Sequence, residues 1–261
     1  TNSYTGLTTV SAGTLRAAGG AAIADTSQVR LSNVAGASLD LTANETIGNL
    51  AGGGAAGGNV TLNANTLTVN EAGATAFAGV ASGSGGIVKQ GAGTLTLSGA
   101  NTYTGNTTVT TGTLAEGASN ALANGTHAIV NGGTLAMGTN SDTVAGVQLV
   151  SGSISGTTGV LTSTSAFDMQ SGTASAILGG AVGLNKSTGG TVILSGADTY
   201  TGATTVGAGT LAVTANNALG TNASGTTVAS GATLDLRNVA YATTEAVTLN
   251  GGTLATSTGT S

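Results

Sequence analysis

The segment that decides the fold is Tyr4-Thr-Gly-Leu-Thr-Thr-Val-Ser-Ala-Gly-Thr-Leu15, because it occurs three times. It recurs as Tyr103-Thr-Gly-Asn-Thr-Thr-Val-Thr-Thr-Gly-Thr-Leu114 and as Tyr200-Thr-Gly-Ala-Thr-Thr-Val-Gly-Ala-Gly-Thr-Leu211. Nine of the twelve positions are identical in all copies, which start 99 and 97 residues apart (103 − 4 and 200 − 103). Self-similarity at a fixed period is typical of repeat architectures. We therefore predict a single solenoid over 1–261, with long repeats at about 4–102, 103–199 and 200–261, the last incomplete.

A shorter period lies inside the long one and is marked by Gly, then Thr or Ser, then an aliphatic residue. The third position recurs every 18 to 23 residues, in the order Leu95, Leu114, Leu135, Ile154, Ala174, Val192, Leu211, Leu234 and Leu254. Leu15 and Leu39 fit the same pattern. The register between residues 43 and 89 stays open, and the run Gly52–Gly58 is expected to be an inserted loop. This spacing predicts about 13 coils of roughly 20 residues, five to each long repeat.

Each coil is predicted to hold short strands separated by glycine turns. Thr107-Thr108-Val109 is β-branched throughout, Gly112 permits a bend closed to other residues, and Leu114 resumes a polar–apolar alternation. One coil cannot pair its strand edges or bury its aliphatic face, so we expect coils to stack as a parallel β-helix. The expected core and turn residues are Val10, Leu15, Leu95, Val109, Gly112, Leu114, Leu135, Ile154, Val192, Val206, Gly209, Leu211, Leu234 and Leu254.

The composition limits the classes of function. Of 261 residues, 46 are Gly and none is Pro or Cys; 6% are charged, 2% are aromatic, and the net charge is −5. Five cations cannot track a phosphate backbone, so we expect no nucleic-acid partner. No apolar run is long enough to span a membrane. Without Cys the chain has neither a disulfide scaffold nor a thiolate metal site, and no cofactor is predicted. The absence of Pro suits a ladder that needs every backbone N–H.

The segments 91–114 and 190–211 resemble the passenger-associated repeat of Gram-negative autotransporters, and Asn2 to Leu15 is similar to a truncated copy. The resemblance implies a right-handed parallel β-helix. It also implies export through a C-terminal outer-membrane barrel, followed by display at the cell surface or release. We predict no signal peptide in the given sequence and expect the chain to be part of a longer array.

Few side chains stand out as functional candidates. Tyr4, Tyr103 and Tyr200 occupy equivalent places and are interpreted either as surface contacts for a sugar or receptor, or as rings packed over a turn. Lys186 is expected to stack beside Asp168 as a surface ion pair. Asp40 and Asp235 share a sequence context but lie too far apart along the repeats for acid–base catalysis, which needs separations under about 10 Å.

His127 is expected on a loop, and with no second His and no Cys we predict neither a zinc site nor a catalytic triad. The leading hypothesis is therefore an extracellular structural or adhesive segment that is not an enzyme. Its expected partners are the outer-membrane barrel of the full-length protein and a surface receptor, a glycan or further copies of itself. The alternatives are a polysaccharide-degrading β-helix enzyme and a self-assembling extracellular fibre.

Overall fold

A computed structural model gives the fold, and it describes residues 2–239, 241 and 244–258. These residues form strands, turns and bends, with no helix among them. The strands are β1 Thr8–Val10, β2 Thr14–Ala17, β3 Gln28–Leu31, β4 Ser38–Leu41, β5 Glu45–Ile47, β6 Asn49–Gly52, β7 Asn59–Asn63, β8 Leu67–Asn70, β9 Ala74–Phe77, β10 Ala81–Gly83, β11 Ile87–Gln90, β12 Thr94–Leu97, β13 Thr107–Val109, β14 Thr113–Glu116, β15 His127–Gly138, β16 Asp142–Val144, β17 Gly146–Gly156, β18 Val160–Ser163, β19 Phe167–Met169, β20 Gly172–Ala174, β21 Ile177–Gly179, β22 Leu184–Lys186, β23 Thr191–Leu194, β24 Thr204–Val206, β25 Thr210–Val213, β26 Thr226–Ala229, β27 Thr233–Arg237, β28 Val247–Asn250 and β29 Thr253–Ser257.

The strands stack in parallel as a β-solenoid of about 12 turns, spaced about 20 residues apart. This confirms the predicted all-β parallel architecture and comes close to the expected 13 coils. The chain divides into two compact units, Thr1–Ile129 with Gly133–Ala136 and Val130–Gly132 with Met137–Ser261. Right-handedness and the limits of the long repeats stay predictions. Residues 240, 242–243 and 259–261 of the last repeat lie outside the described residues.

Three columns of strands, called faces, make up the coils of each unit. We call face 1 the column that contains the Gly-Thr-Leu strand of the repeat, face 2 the column that contains Thr-Thr-Val, and face 3 the remaining column. In the first unit, face 1 runs β1, β3, β6, β9, β12, β14 and the Gly133–Ala136 part of β15. Face 2 runs β5, β8, β11 and β13, and face 3 runs β2, β4, β7 and β10.

The second unit has the same three kinds of column. Face 1 contains β17, β20, β23, β25, β27 and β29. Face 2 contains β17, β19, β22, β24, β26 and β28. The long strand β17 serves both faces because it bends at Gly152, whose φ is 91°. Face 3 contains β16, β18 and β21 and continues through Thr199, whose N–H donates to the Leu178 carbonyl at 2.8 Å.

Burial follows the two-residue period of the strands. In β23, Thr191 is exposed, Val192 is buried, Ile193 is half-buried and Leu194 is buried. Alternate side chains therefore fill the interior of each coil while the others face solvent. The predicted turn glycines fit tightly between coils: Gly112 has a φ of 63°, and a Cβ added there would stand 2.3 Å from the Gly91 carbonyl oxygen. Gly209, with a φ of 67°, meets the Gly190 carbonyl at the same distance.

The register confirms most of the predicted short period and corrects one step. Leu95 pairs with Leu114 and Leu114 with Leu135 in the first unit, while Val192, Leu211, Leu234 and Leu254 pair in succession in the second. The step from Ala174 to Val192 is wrong, because Ala174 pairs with Leu194 and Val192 with Gly172. The apolar side chain at 194 has the same inward orientation as that at 192, so the sequence pattern alone did not separate them.

The first copy of the tyrosine motif lies out of phase with the second. Thr8–Val10 lies on face 1, whereas the matching Thr107–Val109 lies on face 2. The sequence distance between paired residues on successive face 1 strands is 21 residues from Thr8 to Val29 and again 21 from Gln28 to Asn49. It is then 25 residues from Gly52 to Phe77 and 20 from Phe77 to Leu97. The long step contains the glycine run, so 99 residues complete fewer than the five coils predicted for the first repeat.

Candidate functional site

The tyrosines of the repeat have different exposures but make the same local hydrogen bond. Tyr103 and Tyr200 are 0% exposed, and Tyr4 is 41% exposed. Each hydroxyl lies within hydrogen-bonding distance of the threonine hydroxyl four residues later: 2.9 Å at Thr8, 2.6 Å at Thr107 and 2.7 Å at Thr204. Burial raises the pKa of the Tyr200 hydroxyl, and its ring lies 6.0 Å from that of Phe167. The interpretation of Tyr103 and Tyr200 as surface contacts is therefore wrong, since both rings are enclosed.

The predicted core residues mostly point inward. Leu15 is half-buried and Leu254 is 45% exposed. The buried members of the predicted set are Val10, Leu95, Val109, Leu114, Leu135, Ile154, Val192, Val206, Leu211 and Leu234.

Two lysines are buried on face 2, and one of them, Lys186, was expected to form a surface ion pair with Asp168. Both are 0% exposed, because Lys89 in β11 and Lys186 at the end of β22 occupy inward positions. The Lys89 ammonium donates to the carbonyls of Gln90 at 2.8 Å, Gly91 at 2.9 Å and Thr111 at 3.2 Å. It thereby binds the turn of its own coil and the turn of the next. A buried ammonium costs little only when its donors are satisfied in this way.

Lys186 repeats that arrangement in the second unit. Its ammonium donates to the carbonyls of Thr188 and, at 3.0 Å, of Ala208 in the next coil. The predicted pair with Asp168 does not form, because Asp168 pairs in register with Asn185, one residue earlier, and faces the opposite side of the sheet. The Asp168 carboxylate instead accepts hydrogen bonds from Gln148 at 2.7 Å and Gln170 at 2.9 Å.

Of the two lysines, Lys89 is the one whose ammonium interacts with a carboxylate of the described residues, that of Glu71. Glu71 is fully buried, and the Thr75 hydroxyl lies 2.5 Å from its Oε2. Burial raises the pKa of Glu71, partly offset by the hydrogen bond from Thr75 and by the charge of Lys89. Burial lowers the pKa of both lysines, and the charge of Glu71 partly offsets this at Lys89.

A buried polar residue two positions before the tyrosine links the coils on face 3. The Asn101 Oδ1 accepts the Ala81 N–H at 2.7 Å, and its Nδ2 donates to the Ala121 carbonyl at 2.6 Å. In the third copy this place is held by Asp198, which is 3% exposed. Its Oδ1 accepts the Leu178 N–H at 2.8 Å, while its Oδ2 is buried without a hydrogen-bond partner in the structure. Burial raises the pKa of Asp198 well above its ordinary value.

The remaining candidates, Asp40, Asp235 and His127, do not come together in one site. Asp40 accepts a charged hydrogen bond from Arg16 at 3.0 Å, and Asp235 accepts one from Arg237 at 2.7 Å. Arg237 contributes to lowering the pKa of Asp235. The expected loop position of His127 is wrong, because His127 is the first residue of β15, where its side chain is exposed.

The glycine run builds a tight hairpin that borders a surface cleft in the first unit. Gly54 and Gly57 exchange backbone hydrogen bonds of 2.9 and 3.2 Å around Ala55 and Ala56, so the predicted loop is confirmed as a two-residue turn. Beside it lies a cleft of about 350 Å³. Its lining residues are Thr9, Arg30, Leu31, Ser32, Asn33, Gly52 and Gly53.

Sequence reasoning missed Asn101, Asp198, Glu71 and Arg30 as residues of interest. The recurrence of Asn101-Thr-Tyr103 as Asp198-Thr-Tyr200 was a usable signal for the first two. Glu71 has an acidic counterpart at the repeat spacing, since Asp168 lies 97 residues later (168 − 71), but the register pairs Asp168 with Asn185 and turns it away from Lys186. The surroundings of Glu71 and Arg30 therefore emerge only from the coil register. Among the described residues there is no group of three or more His, Asp or Glu side chains able to hold a metal ion. No helix of suitable length and hydrophobicity to cross a membrane occurs in that part of the chain.

Comparisons with known proteins agree with the repeat seen in the fold. The passenger-associated-transport-repeat family matches residues 1–17, 87–115 and 184–213. The adhesin BmaC autotransporter of Brucella suis biovar 1 (strain 1330) is 47% identical to this chain over 106 residues. That match covers 39% of this chain and 3% of the adhesin, so the chain corresponds to a small part of that protein's length. No solved structure matches the chain.

Proposed function

We propose that this chain, a segment of an autotransporter passenger domain that carries passenger-associated transport repeats, is a rigid stalk with an adhesive surface outside a Gram-negative cell. The observation that carries the proposal is the 47% identity, over 106 residues, to a protein named as an adhesin autotransporter. The fold agrees with a stalk, because each coil pairs its strands and buries its aliphatic side chains against its neighbours.

The proposal includes an outer-membrane translocator at the C-terminus of the full-length protein. A passenger that threads through a pore must be unfolded in transit, and disulfides formed beforehand would obstruct it. The chain contains no Cys and is compatible with that route. Each coil that emerges gains backbone partners and apolar contacts from the coil already folded, which favours outward movement.

We assign the segment no catalytic role. Three of its carboxylates have structural partners: Asp40 is bound by Arg16, Asp168 by two glutamine amides, and Glu45 by the backbone N–H groups of Ala22 and Ile23. Glycoside hydrolysis needs two carboxyl groups that flank one bond, one of them free to donate a proton. These three carboxylates are already committed to holding coils together.

Display on the cell surface is tested with the full-length protein in its own cell. Antibodies raised against residues 1–261 should label intact cells, and protease added outside should remove the labelling. Labelling that requires permeabilised cells would contradict surface display.

The adhesive role is tested by in-frame deletion. Removing residues 1–261 from the full-length protein should lower attachment of the bacteria to cultured epithelial cells without loss of surface labelling of the rest of the passenger. A deletion of 103–199 joins equivalent positions of the repeat and is the matched control, since it should shorten the stalk but keep its surface display. Unchanged attachment after removal of the whole segment would show that its adhesive role is wrong.

A further inference from the structure

Arg30 is the cation that the fold does not use. Of the five Lys and Arg residues, Arg16 and Arg237 pair with aspartates, and Lys89 and Lys186 are buried against backbone carbonyls. Arg30 is exposed on the outer side of β3, and no ion pair of Arg30 occurs within the described residues. In a chain with a net charge of −5, this leaves one accessible positive group with no structural task.

The surroundings of Arg30 leave room for a ligand. In the strand register Arg30 lies between Thr9 in one adjoining coil and Ala51 in the other. Both neighbours are small, so neither covers the planar guanidinium. Its five N–H donors are suited to bidentate binding of a carboxylate or sulfate.

The wall of the cleft is built to a fixed shape by the glycine hairpin. A Cβ added at Gly52 would stand 2.1 Å from the Leu31 carbonyl oxygen, and one at Gly53 would stand 2.4 Å from the Gly79 nitrogen. The Asn33 Oδ1 accepts the Ala56 N–H at 2.8 Å and fastens the hairpin to the segment after β3. A preformed wall lowers the ordering cost of binding.

We propose that this cleft binds the negatively charged group of an acidic saccharide, with Arg30 as its anchor. The hydroxyls of Thr9 and Ser32 line the same cleft and supply hydrogen bonds for sugar hydroxyls. The volume of about 350 Å³ falls in the range of small-ligand sites. This inference rests on the proposed adhesive function and gives it a contact site.

The chemistry favours a sugar with a single charge over a polyanion or a peptide. One guanidinium cannot neutralise a run of phosphates or sulfates. An extended peptide binds by adding a strand to an open sheet edge, whereas β3 is paired on both sides, with β1 and β6. We expect a weak site with a Kd on the order of 1 mM, which becomes effective through many copies on a cell surface.

The test is a titration of the full 261-residue chain with 3′-sialyllactose, lactose 3′-sulfate and lactose, followed by saturation-transfer NMR. The two charged sugars should bind and lactose should not, and the arm that binds more tightly identifies a carboxylate or a sulfate as the natural group. Arg30→Gln should weaken binding by about tenfold or more, because a charged hydrogen-bond donor is lost. Arg30→Lys keeps the charge without the planar donors and should give an intermediate loss.

Arg16→Gln is the matched control, since Arg16 is an exposed arginine of the same unit that is already paired with Asp40. It should leave sugar binding unchanged. Equal binding of lactose, an Arg30→Gln variant that binds like the parent, or no saturable binding of either charged sugar would overturn the site. Full competition by a hexaglutamate peptide would overturn the assignment to saccharides. The surface-labelling and deletion experiments above do not depend on Arg30, so the stalk can stand if this site fails.

Discussion

The tyrosine motif at Tyr103 is preceded by Asn101, whereas the motif at Tyr200 is preceded by Asp198. Both side chains accept a backbone N–H from the preceding coil, at 2.7 and 2.8 Å. Asn101 also donates to the Ala121 carbonyl of the following coil, while the second oxygen of Asp198 is buried without a partner. A carboxylate cannot donate, so this place requires either an amide or a protonated acid.

The buried lysines of the same two repeats differ in a second way. Lys89 has the buried carboxylate of Glu71 in the adjoining coil, whereas the partners of Lys186 among the described residues are carbonyl and hydroxyl oxygens. Equivalent positions of the repeat thus share a backbone arrangement but hold different numbers of charges. The contribution of each buried charge to stability can be measured by substituting it and determining the free energy of unfolding.

The largest effect is expected for Lys89→Met. The substitution leaves Glu71 without its compensating charge and three carbonyls without their donor, and we expect a loss of about 3–5 kcal/mol in the free energy of unfolding. Lys186→Met leaves carbonyls but no carboxylate unpaired and should cost about 1–3 kcal/mol. Urea denaturation at pH 7 compares the two. Equal costs would show that Glu71 and Lys89 do not act as a pair.

The next effect is expected for Asn101→Asp, which places the polar group of the third repeat into the second. It removes the bond to Ala121 and buries a carboxyl group, so we expect a loss of about 2–3 kcal/mol at pH 8. Burial should raise the pKa of the new carboxyl above its unfolded value, as it does for Asp198. The folded protein then holds the proton more tightly, and stability falls as pH rises through the raised pKa. The loss should therefore shrink at pH 3, and a loss independent of pH would contradict this explanation.

The reciprocal change, Asp198→Asn, should stabilise the protein. Above the raised pKa of Asp198 the parent chain carries the cost of an ionised buried carboxyl, and below the ordinary aspartate pKa it carries none. We expect a gain of about 1–2 kcal/mol at pH 8 that vanishes at pH 3. Asp40→Asn is the control, because Asp40 forms an exposed pair with Arg16 that should be worth less than about 1 kcal/mol. An infrared band of a protonated carboxyl at pH 6 that disappears in Asp198→Asn would identify the group directly.

The sequence was sufficient to predict the stacking and most of the register, because both follow from the spacing of apolar residues and turn glycines. Leu95, Leu114 and Leu135 form a paired series for that reason. The sequence misplaced Lys186, since charged residues are rarely buried and the carbonyls that bind its ammonium come from the turns of two coils. The sequence also did not predict that the first tyrosine motif lies on a different face from the second. The cause is the 25-residue distance between coils at the glycine hairpin, which changes the face that Thr8–Val10 occupies.

The smallest effect on stability is expected from removing a tyrosine hydroxyl, and comparing a buried with an exposed tyrosine shows how much of that effect depends on burial. Tyr103→Phe removes a hydroxyl that lies 2.6 Å from the Thr107 Oγ1 inside the stack, and we expect a loss of about 0.5–1.5 kcal/mol. Tyr4→Phe removes the equivalent group 2.9 Å from Thr8, but its ring is 41% exposed and water can replace the lost partner. That variant should differ from the parent by less than about 0.5 kcal/mol. Parallel urea titrations of the two variants, with near-ultraviolet circular dichroism as the probe, make the comparison. Equal losses would mean that the four-residue contact within the loop, and not enclosure by adjoining coils, determines what the hydroxyl contributes.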